Sequence, residues 1–217
     1  LDMSKLESGE IVLEEIPFNL SSIFKEVFVV IEQMASEQNI QIEWEKKEII
    51  HRDFIGSPGY VKRVMMNILS NAVKYNRENG HIYISCMEIP SEQPEMTMME
   101  FVCRDTGIGM TDEFQKHIFE PFAQESTGTT ALYGGTGLGL AISKNIVDMM
   151  DGKITARSIR GIGSEFIVDV KLGITEEEKL RHNQKKIHYN FSHLKTLVVD
   201  DDVAVCESAV MTLEEIG

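Results

Sequence analysis

Residues 129–143 read TTALYGGTGLGLAIS: Gly134, Gly135, Gly137 and Gly139 crowd into six positions, and an apolar run with helical spacing follows at once. A flexible linker does not run straight into LGLAISKNIVDMM, so the glycines feed the N-terminus of an amphipathic helix. Free amides and the helix dipole at such a terminus favour an anion without any side-chain charge. The segment is not a P-loop, because Leu140 and Ala141 stand where Lys-Ser/Thr is required, and no G-x-G-x-x-G follows a strand. Between Phe119 and Ile142 there is no lysine or arginine.

The composition narrows what such a segment can serve. A chain of 217 residues is long enough for one well-buried domain of about 150 residues plus further segments. The net charge of −14 repels nucleic acid and anionic lipid, so neither is an expected partner. No apolar run approaches the roughly 18 residues that span a bilayer. A cytoplasmic location is expected, with any anchor of the full-length protein in the cell membrane lying outside this sequence. Cys86, Cys103 and Cys206 have no paired spacing, which argues for buried structural thiols rather than a disulfide framework or a zinc site.

Outward from the glycines, the pattern alternates between sheet and helix. LDMSKLESG, residues 1–9, looks like the end of a helix closed by Gly9, and EIVLEEIPF reads as a strand. Asn19 is placed to cap a helix bearing Leu20, Ile23, Phe24, Val27, Val30, Ile31 and Met34 at helical spacing. Short strands are expected at IQIEW and around residues 52–55, and Ser57-Pro58 reads as a cap followed by an N1 proline. The next helix carries Val61, Val64, Met65, Ile68, Leu69 and Ala72 on one stripe. Strands follow at 81–88 and 98–105, then a helix from Thr111 or Asp112, a helix over 137–150, and a hairpin of GKITARSI with SEFIVDVKL. Residues 174–193 read as a polar linker, and LKTLVVDDD opens a buried-type strand ending in three carboxylates.

Three constellations carry chemistry. Asn67, Asn71 and Lys74 fall within about 60° of one another on the second long helix, away from its apolar stripe. Amide oxygens suit a hard cation and an ammonium suits phosphate. Asp105 ends a strand and leads into Gly107 and Gly109; a carboxylate there can accept from an exocyclic amine. The glycine-rich segment is the third.

Taken in order, NILSNAVKYN, DTGIG, IFEPF, GGTGLGL and GIGSEF resemble the N, G1, F and G2 boxes and a further glycine box of the ATP-binding domain of sensor histidine kinases. The likeness covers about residues 10–172. LDMSKLESG further resembles the end of that family's dimerisation hairpin, and TLVVDDD the start of a response-regulator receiver domain, the arrangement of a hybrid histidine kinase. The resemblance implies a two-layer α/β sandwich, the Bergerat ATP-binding fold, with a mixed sheet and helices on one face. It divides the chain into the hairpin end (1–9), the catalytic ATP-binding domain (10–173), a linker (174–193) and a truncated receiver start (194–217).

Implied residue by residue, Asn71 binds Mg²⁺ bridging the ATP phosphates, Lys74 contacts phosphate, Tyr75 packs beside the nucleotide and Asp105 receives the adenine amino group. Gly107 and Gly109 let the backbone approach the base. The segment from Phe122 to Gly135 forms a lid, with Gly135, Thr136, Gly137, Leu138 and Gly139 at the nucleotide. The implied partners are the phosphoacceptor histidine domain, of the same chain or of a dimer mate, and the receiver domain; the full-length protein is expected to be a homodimer.

The hydrolytic ATPases of the wider group resemble one another in a glutamate four residues before the metal-binding asparagine. Asn67 stands there, and an amide cannot take a proton near neutral pH, which points to phosphoryl transfer rather than hydrolysis. The acceptor histidine is expected to precede the ATP-binding domain, since none of the six histidines is followed by glutamate. Ala131 and Leu132 replace basic residues often found before the second glycine box, leaving Lys74, Lys144 or the hairpin to supply charge. Two other readings stay open: a degenerate nucleotide-responsive interaction module, and a hydrolytic ATPase.

Overall fold

The computed structural model describes residues 12–125 and 136–185. Two compact units divide the chain, Leu1–Glu178 and Lys179–Gly217. The expectations for residues 1–9 and 194–217, for Gly135, and for Ala131 and Leu132 lie outside the described residues.

The first unit is built on β1 (Ile16–Asn19), α1 (Leu20–Ser36), β2 (Gln41–Lys46), β3 (Asp53–Gly56) and α2 (Pro58–Lys74). It continues with β4 (His81–Pro90), β5 (Met96–Asp105), α3 (Asp112–Gln115), α4 (Gly139–Met149), β6 (Lys153–Ile159) and β7 (Gly163–Ile174). A last helix, α5 (Glu176–Lys185), is capped by Thr175, whose Oγ1 accepts from Glu178 N at 3.3 Å. The strands form one mixed sheet in the order β1-β3-β7-β5-β4-β2, with β6 also paired along β7. Only β2 and β4 run parallel among the described pairs.

The two-residue period of the strands decides which face is covered. On β5 the buried set is Thr97, Met99, Phe101, Cys103 and Asp105; on β7 it is Phe166, Val168, Val170, Leu172 and Ile174. The register places Cys103 opposite Phe166, Phe101 opposite Val168 and Met99 opposite Val170, so both strands turn the same apolar face to the helices. Over it lie the stripe of α2, in which Ile68 and Leu69 are fully buried, and Ile146 and Val147 of α4. Each such side chain contributes roughly 2 kcal/mol of burial. Helices on one face of a mixed sheet are the expected two-layer sandwich.

Several local expectations shift. EIVLEEIPF supplies a strand only at Ile16–Asn19 within its described part. Asn19 does cap α1, its Oδ1 accepting from Ser22 N at 3.3 Å. Ser57 does not cap α2 through its side chain; its Oγ donates instead to the Glu14 carbonyl at 2.6 Å and fastens the incoming chain. Helix α3 is one turn long, capped by Thr111. Helix α4 starts at Gly139 rather than Gly137, because Gly137 has φ +69°, outside the right-handed helical region. Cys86 and Cys103 are free and buried. Burial pushes the Cys86 thiol up to about 12 and the Cys103 thiol higher still, so both are inert.

At the other end of β4 a buried carboxylate fixes the segment between β2 and β3. Glu88 Oε2 accepts from Ile50 N at 2.7 Å and His51 N at 2.9 Å, while Oε1 stands 2.5 Å from His51 Nδ1. Burial alone would raise the Glu88 carboxyl, but the bonds from His51 and Thr97 outweigh it and hold it below 4.5. A depressed carboxyl stabilises the fold above its unfolded value and loses that contribution as pH falls through its folded one. We expect Glu88→Gln to cost about 1–3 kcal/mol at neutral pH and to speed hydrogen exchange at the Ile50 and His51 amides. Thermal melts from pH 7 to 3 should show the gap to the wild-type chain closing below about pH 4.5.

Candidate functional site

A cavity of about 310 Å³ opens between α2, the end of β5, α3 and the start of α4. Of the residues singled out from sequence, Asn67, Asn71, Lys74, Tyr75, Asp105, Gly109, Thr136, Gly137 and Gly139 line it. Helix α2 brings the first three together, since its apolar stripe is committed to the sheet and its Asn/Lys flank therefore turns towards the cavity and α4. Asn67 Nδ2 donates to Ser143 Oγ at 2.9 Å, linking the two helices. Gly139 lets the helices cross closely: a Cβ there would lie 2.3 Å from Asn67 Oδ1 and push that amide aside. Lys74 lies over the Tyr75 ring, 4.8 Å from its centroid.

Asp105 is 7% exposed, carried inward by the parity of β5. Its Oδ1 accepts from Gly107 N at 2.8 Å and from Ser164 N at 3.2 Å. Burial raises its carboxyl to about 6, although those two bonds and the Arg77 charge pull the other way. The carboxylate thus has one oxygen engaged by the backbone and is desolvated at the wall of the cavity, where an amine donor would stabilise its ionised form. Gly107 stands behind the wall: its Cβ position falls 2.3 Å from the Tyr75 carbonyl oxygen, which leaves no room for a side chain.

At the other element, Leu138 caps α4 without a side-chain hydrogen bond, and the first intrahelical bond runs from Ile142 N to Leu138 O at 2.9 Å. The amides of Gly139, Leu140 and Ala141 therefore precede the helical ladder and are suited to an anion. The apolar remainder of the wall comes from Ile108, Met110, Phe114, Ile118, Leu140 and Phe166, a surface suited to a planar ring.

Two residues of the expected set fall elsewhere. Phe122 is 68% exposed with φ 64°, and its N–H donates to the Gly137 carbonyl at 3.0 Å. Its backbone meets Gly137. Leu138, half-buried, packs its side chain against the hydrophobic core. Lys144 pairs with Asp148 one turn along α4 and does not line the cavity.

Sequence patterns missed the residues that brace the site. Arg77 Nε donates to Thr106 O at 2.5 Å, and its Nη2 lies 3.2–3.3 Å from the carbonyls of Gly107, Gly161 and Ile162. Asn76, 3% exposed, donates to His81 O and accepts from Arg77 N. Glu125 lines the cavity and accepts from both N and Oγ1 of Thr111. Their position beside YN and TG was visible, but the carbonyls that Arg77 binds lie up to 85 residues away. The described histidines whose partners are resolved sit against carboxylates, His51 with Glu88, His81 with Glu43 and His117 with Glu120.

Comparison with known proteins places this geometry. The chain is similar to the sensor protein GacS of Pseudomonas syringae pv. syringae, 29% identical over 100% of this chain and 23% of that protein. It is similar to the signal transduction histidine-protein kinase BarA of Escherichia coli K12, 33% identical over 80% of this chain and 19% of BarA. Among solved structures it resembles the catalytic domain of histidine kinase ThkA in a nucleotide-free form. That match has a TM-score of 0.60 and 28% identity, covering 76% of this chain and 99% of that one. The chain spans less than a quarter of the length of GacS or BarA. Residues 56–174, which run from the end of β3 to the end of β7 and contain the whole cavity wall, match the model of one family, and the chain belongs to it: the histidine kinase-, DNA gyrase B- and HSP90-like ATPases.

Proposed function

We propose that this chain is the ATP-binding catalytic domain of a hybrid histidine kinase, which transfers the γ-phosphoryl of ATP to a histidine on a separate helical hairpin. The observation that carries the reading is that one cavity gathers a desolvated carboxylate, two helix amides with a lysine, and an uncapped helix N-terminus around an apolar wall. Asp105 accepts the exocyclic amine of the base, and Phe114, Ile118 and Phe166 exclude water from the ring. Lys74 and the first-turn amides of α4 hold the phosphates. The Asn71 amide oxygen suits Mg²⁺; when bound there, such an ion would supply charge neutralisation at the phosphates.

Asn67 bears on the choice of reaction. It is held by Ser143, and an amide cannot deprotonate water, so hydrolysis lacks its base. Transfer to a neutral imidazole needs none on this side, because the nucleophile already carries a lone pair. The similarity to proteins named as histidine kinases supports the same choice. By the same likeness, the receiver domain and a second copy of the full-length protein are proposed partners. No helix among the described residues is long and apolar enough to cross a membrane.

The test combines this chain with a hairpin carrying the acceptor histidine, γ-labelled ATP and Mg²⁺. Acid-labile label should appear on the hairpin and not on this chain alone, and Asn71→Ala should reduce the rate by at least about 100-fold. Nucleotide binding with no transfer would favour the interaction module, and release of free phosphate without hairpin would favour the ATPase.

Two variants probe the cavity itself. Because the Asp105 carboxyl is raised from 3.8 to about 6, the fold binds its proton more tightly than the unfolded chain does. Its contribution is present below 3.8 and lost as pH rises through about 6. Asp105→Asn should therefore melt higher than wild type at pH 8, by about 2–4 °C for each kcal/mol recovered. The same variant should lose more than about tenfold in affinity for adenine nucleotides. Gly139→Ala should displace Asn67 and weaken binding of the triphosphate more than of adenosine, as calorimetry would show.

A further inference from the structure

Asp105 Oδ1 takes one amide from each of two separate segments, Gly107 N in the loop after β5 and Ser164 N at the start of β7. A single guanidinium spans the same two segments. Arg77 bonds the carbonyls of Thr106 and Gly107 on one side and those of Gly161 and Ile162 on the other. Between them the Gly161 amide donates to Ile108 O at 2.7 Å, and Ile108 N donates to Tyr75 O at 3.0 Å. The joint is thus fastened from the buried side by a carboxylate and from the exposed side by a cation.

We propose that Arg77 is a positioning residue for Asp105: by tying the loop after β5 to the β6–β7 turn, it holds the carboxylate at the cavity for the base. The consequence for nucleotide recognition rests on the function proposed above.

The guanidinium suits the task and an ammonium does not. Its planar fork presents donors in two directions at once, whereas lysine offers one point charge on a flexible stem. Arg77 is itself set in place, since its N–H donates to Asn76 Oδ1 at 3.0 Å and Asn76 is buried against His81 O. Without the fork, the β6–β7 hairpin is joined to the loop by the Gly161–Ile108 bond, by the Met110 amide on Ser158 Oγ at 2.8 Å and by Asp105 itself. The carboxylate then becomes the strut of the joint instead of its beneficiary. Electrostatics agree with the geometry. The titratable groups near Asp105 are Lys74 and Tyr75 at the end of α2, Cys103 on β5, Glu125 after α3, and Arg77. Of these, Arg77 is the one whose charge pulls the Asp105 carboxyl down.

The experiment uses the whole 217-residue chain as wild type, Arg77→Lys and Arg77→Ala, with ADP and GDP as probes in calorimetry from pH 5 to 8. Arg77→Ala should bind ADP about 10–100-fold more weakly, and the preference for ADP over GDP should collapse. The pH at which ADP binding is half-lost should move upward. Free guanidinium at millimolar concentration should restore part of the affinity to Arg77→Ala, and Arg77→Lys should not restore the preference. A loss of stability alone would weaken ADP and GDP equally, with no shift in the pH midpoint and no rescue, and that result overturns the proposal. A ligand-free arm separates it from the nucleotide reading. Amide exchange at Gly161 and Ser164 should accelerate, and carbon-13 titration of Asp105 should move up, in Arg77→Ala. A wild-type chain that binds no ADP overturns the nucleotide reading; unchanged exchange and titration overturn the role of Arg77 whatever the nucleotide result.

Discussion

The structure turns on a carboxylate placed on the wrong side of a strand. Along β5 the side chains of Met99, Phe101 and Cys103 enter the layer between sheet and helices, and the same parity takes Asp105 in with them. A charge in that position is unfavourable unless something answers it. The protein answers with two backbone amides and a nearby guanidinium, and still leaves the carboxyl raised to about 6. Much of the surrounding chain serves this one group. Gly107 has no room for a side chain because the loop must bend back under Tyr75, and Gly163 lies against the Asp105 backbone so that Ser164 can reach the carboxylate.

The second dependency runs from packing to site. Helix α2 can offer Asn67, Asn71 and Lys74 to the cavity only because Ile68 and Leu69 are committed to the sheet. Helix α4 repeats the division: Ile146 and Val147 anchor it, while its N-terminus carries no side-chain cap. An uncapped terminus is a stability cost of about 1 kcal/mol, and it is retained at the place where an anion can do the capping. The absence of basic residues around the glycines is consistent with this arrangement, since the amides of Gly139, Leu140 and Ala141 supply the positive end of a dipole. Lys144 adds nothing to the cavity, for it is paired with Asp148.

Much of this was legible beforehand. The helical stripe of α2, the Asn19 cap and the strand-ending Asp105 are local patterns with periods of 3.6 or 2, and they appear where those periods place them. Some local details differ from a purely local reading, and each difference has a tertiary cause. Ser57 does hold the N-cap position before Pro58, but its hydroxyl donates to the Glu14 carbonyl instead of serving the helix amides. Phe122 looked like a nucleotide contact, but a left-handed backbone turns its ring to solvent while its amide meets Gly137. Leu138 looked like part of the phosphate segment, and its half-buried side chain packs against the core.

The sequence by itself determined the helices, the strands and their apolar faces, because those depend on which residue types recur at short, regular spacing; the two-layer class and the site residues followed from the resemblance of its ordered motifs to a known family. Asn71, Lys74, Asp105 and the glycines around 137 and 139 could be named with no coordinates at all. Only the tertiary structure decided how that chemistry is held. Arg77 carries no periodic signal, and its four carbonyl partners lie 29 to 85 residues along the chain. Glu88 is a similar case. Hydrogen bonds between side chains and distant backbone leave no repeat in the sequence, since any residue can supply the carbonyl or the amide; they exist only once the sheet has brought its strands into register.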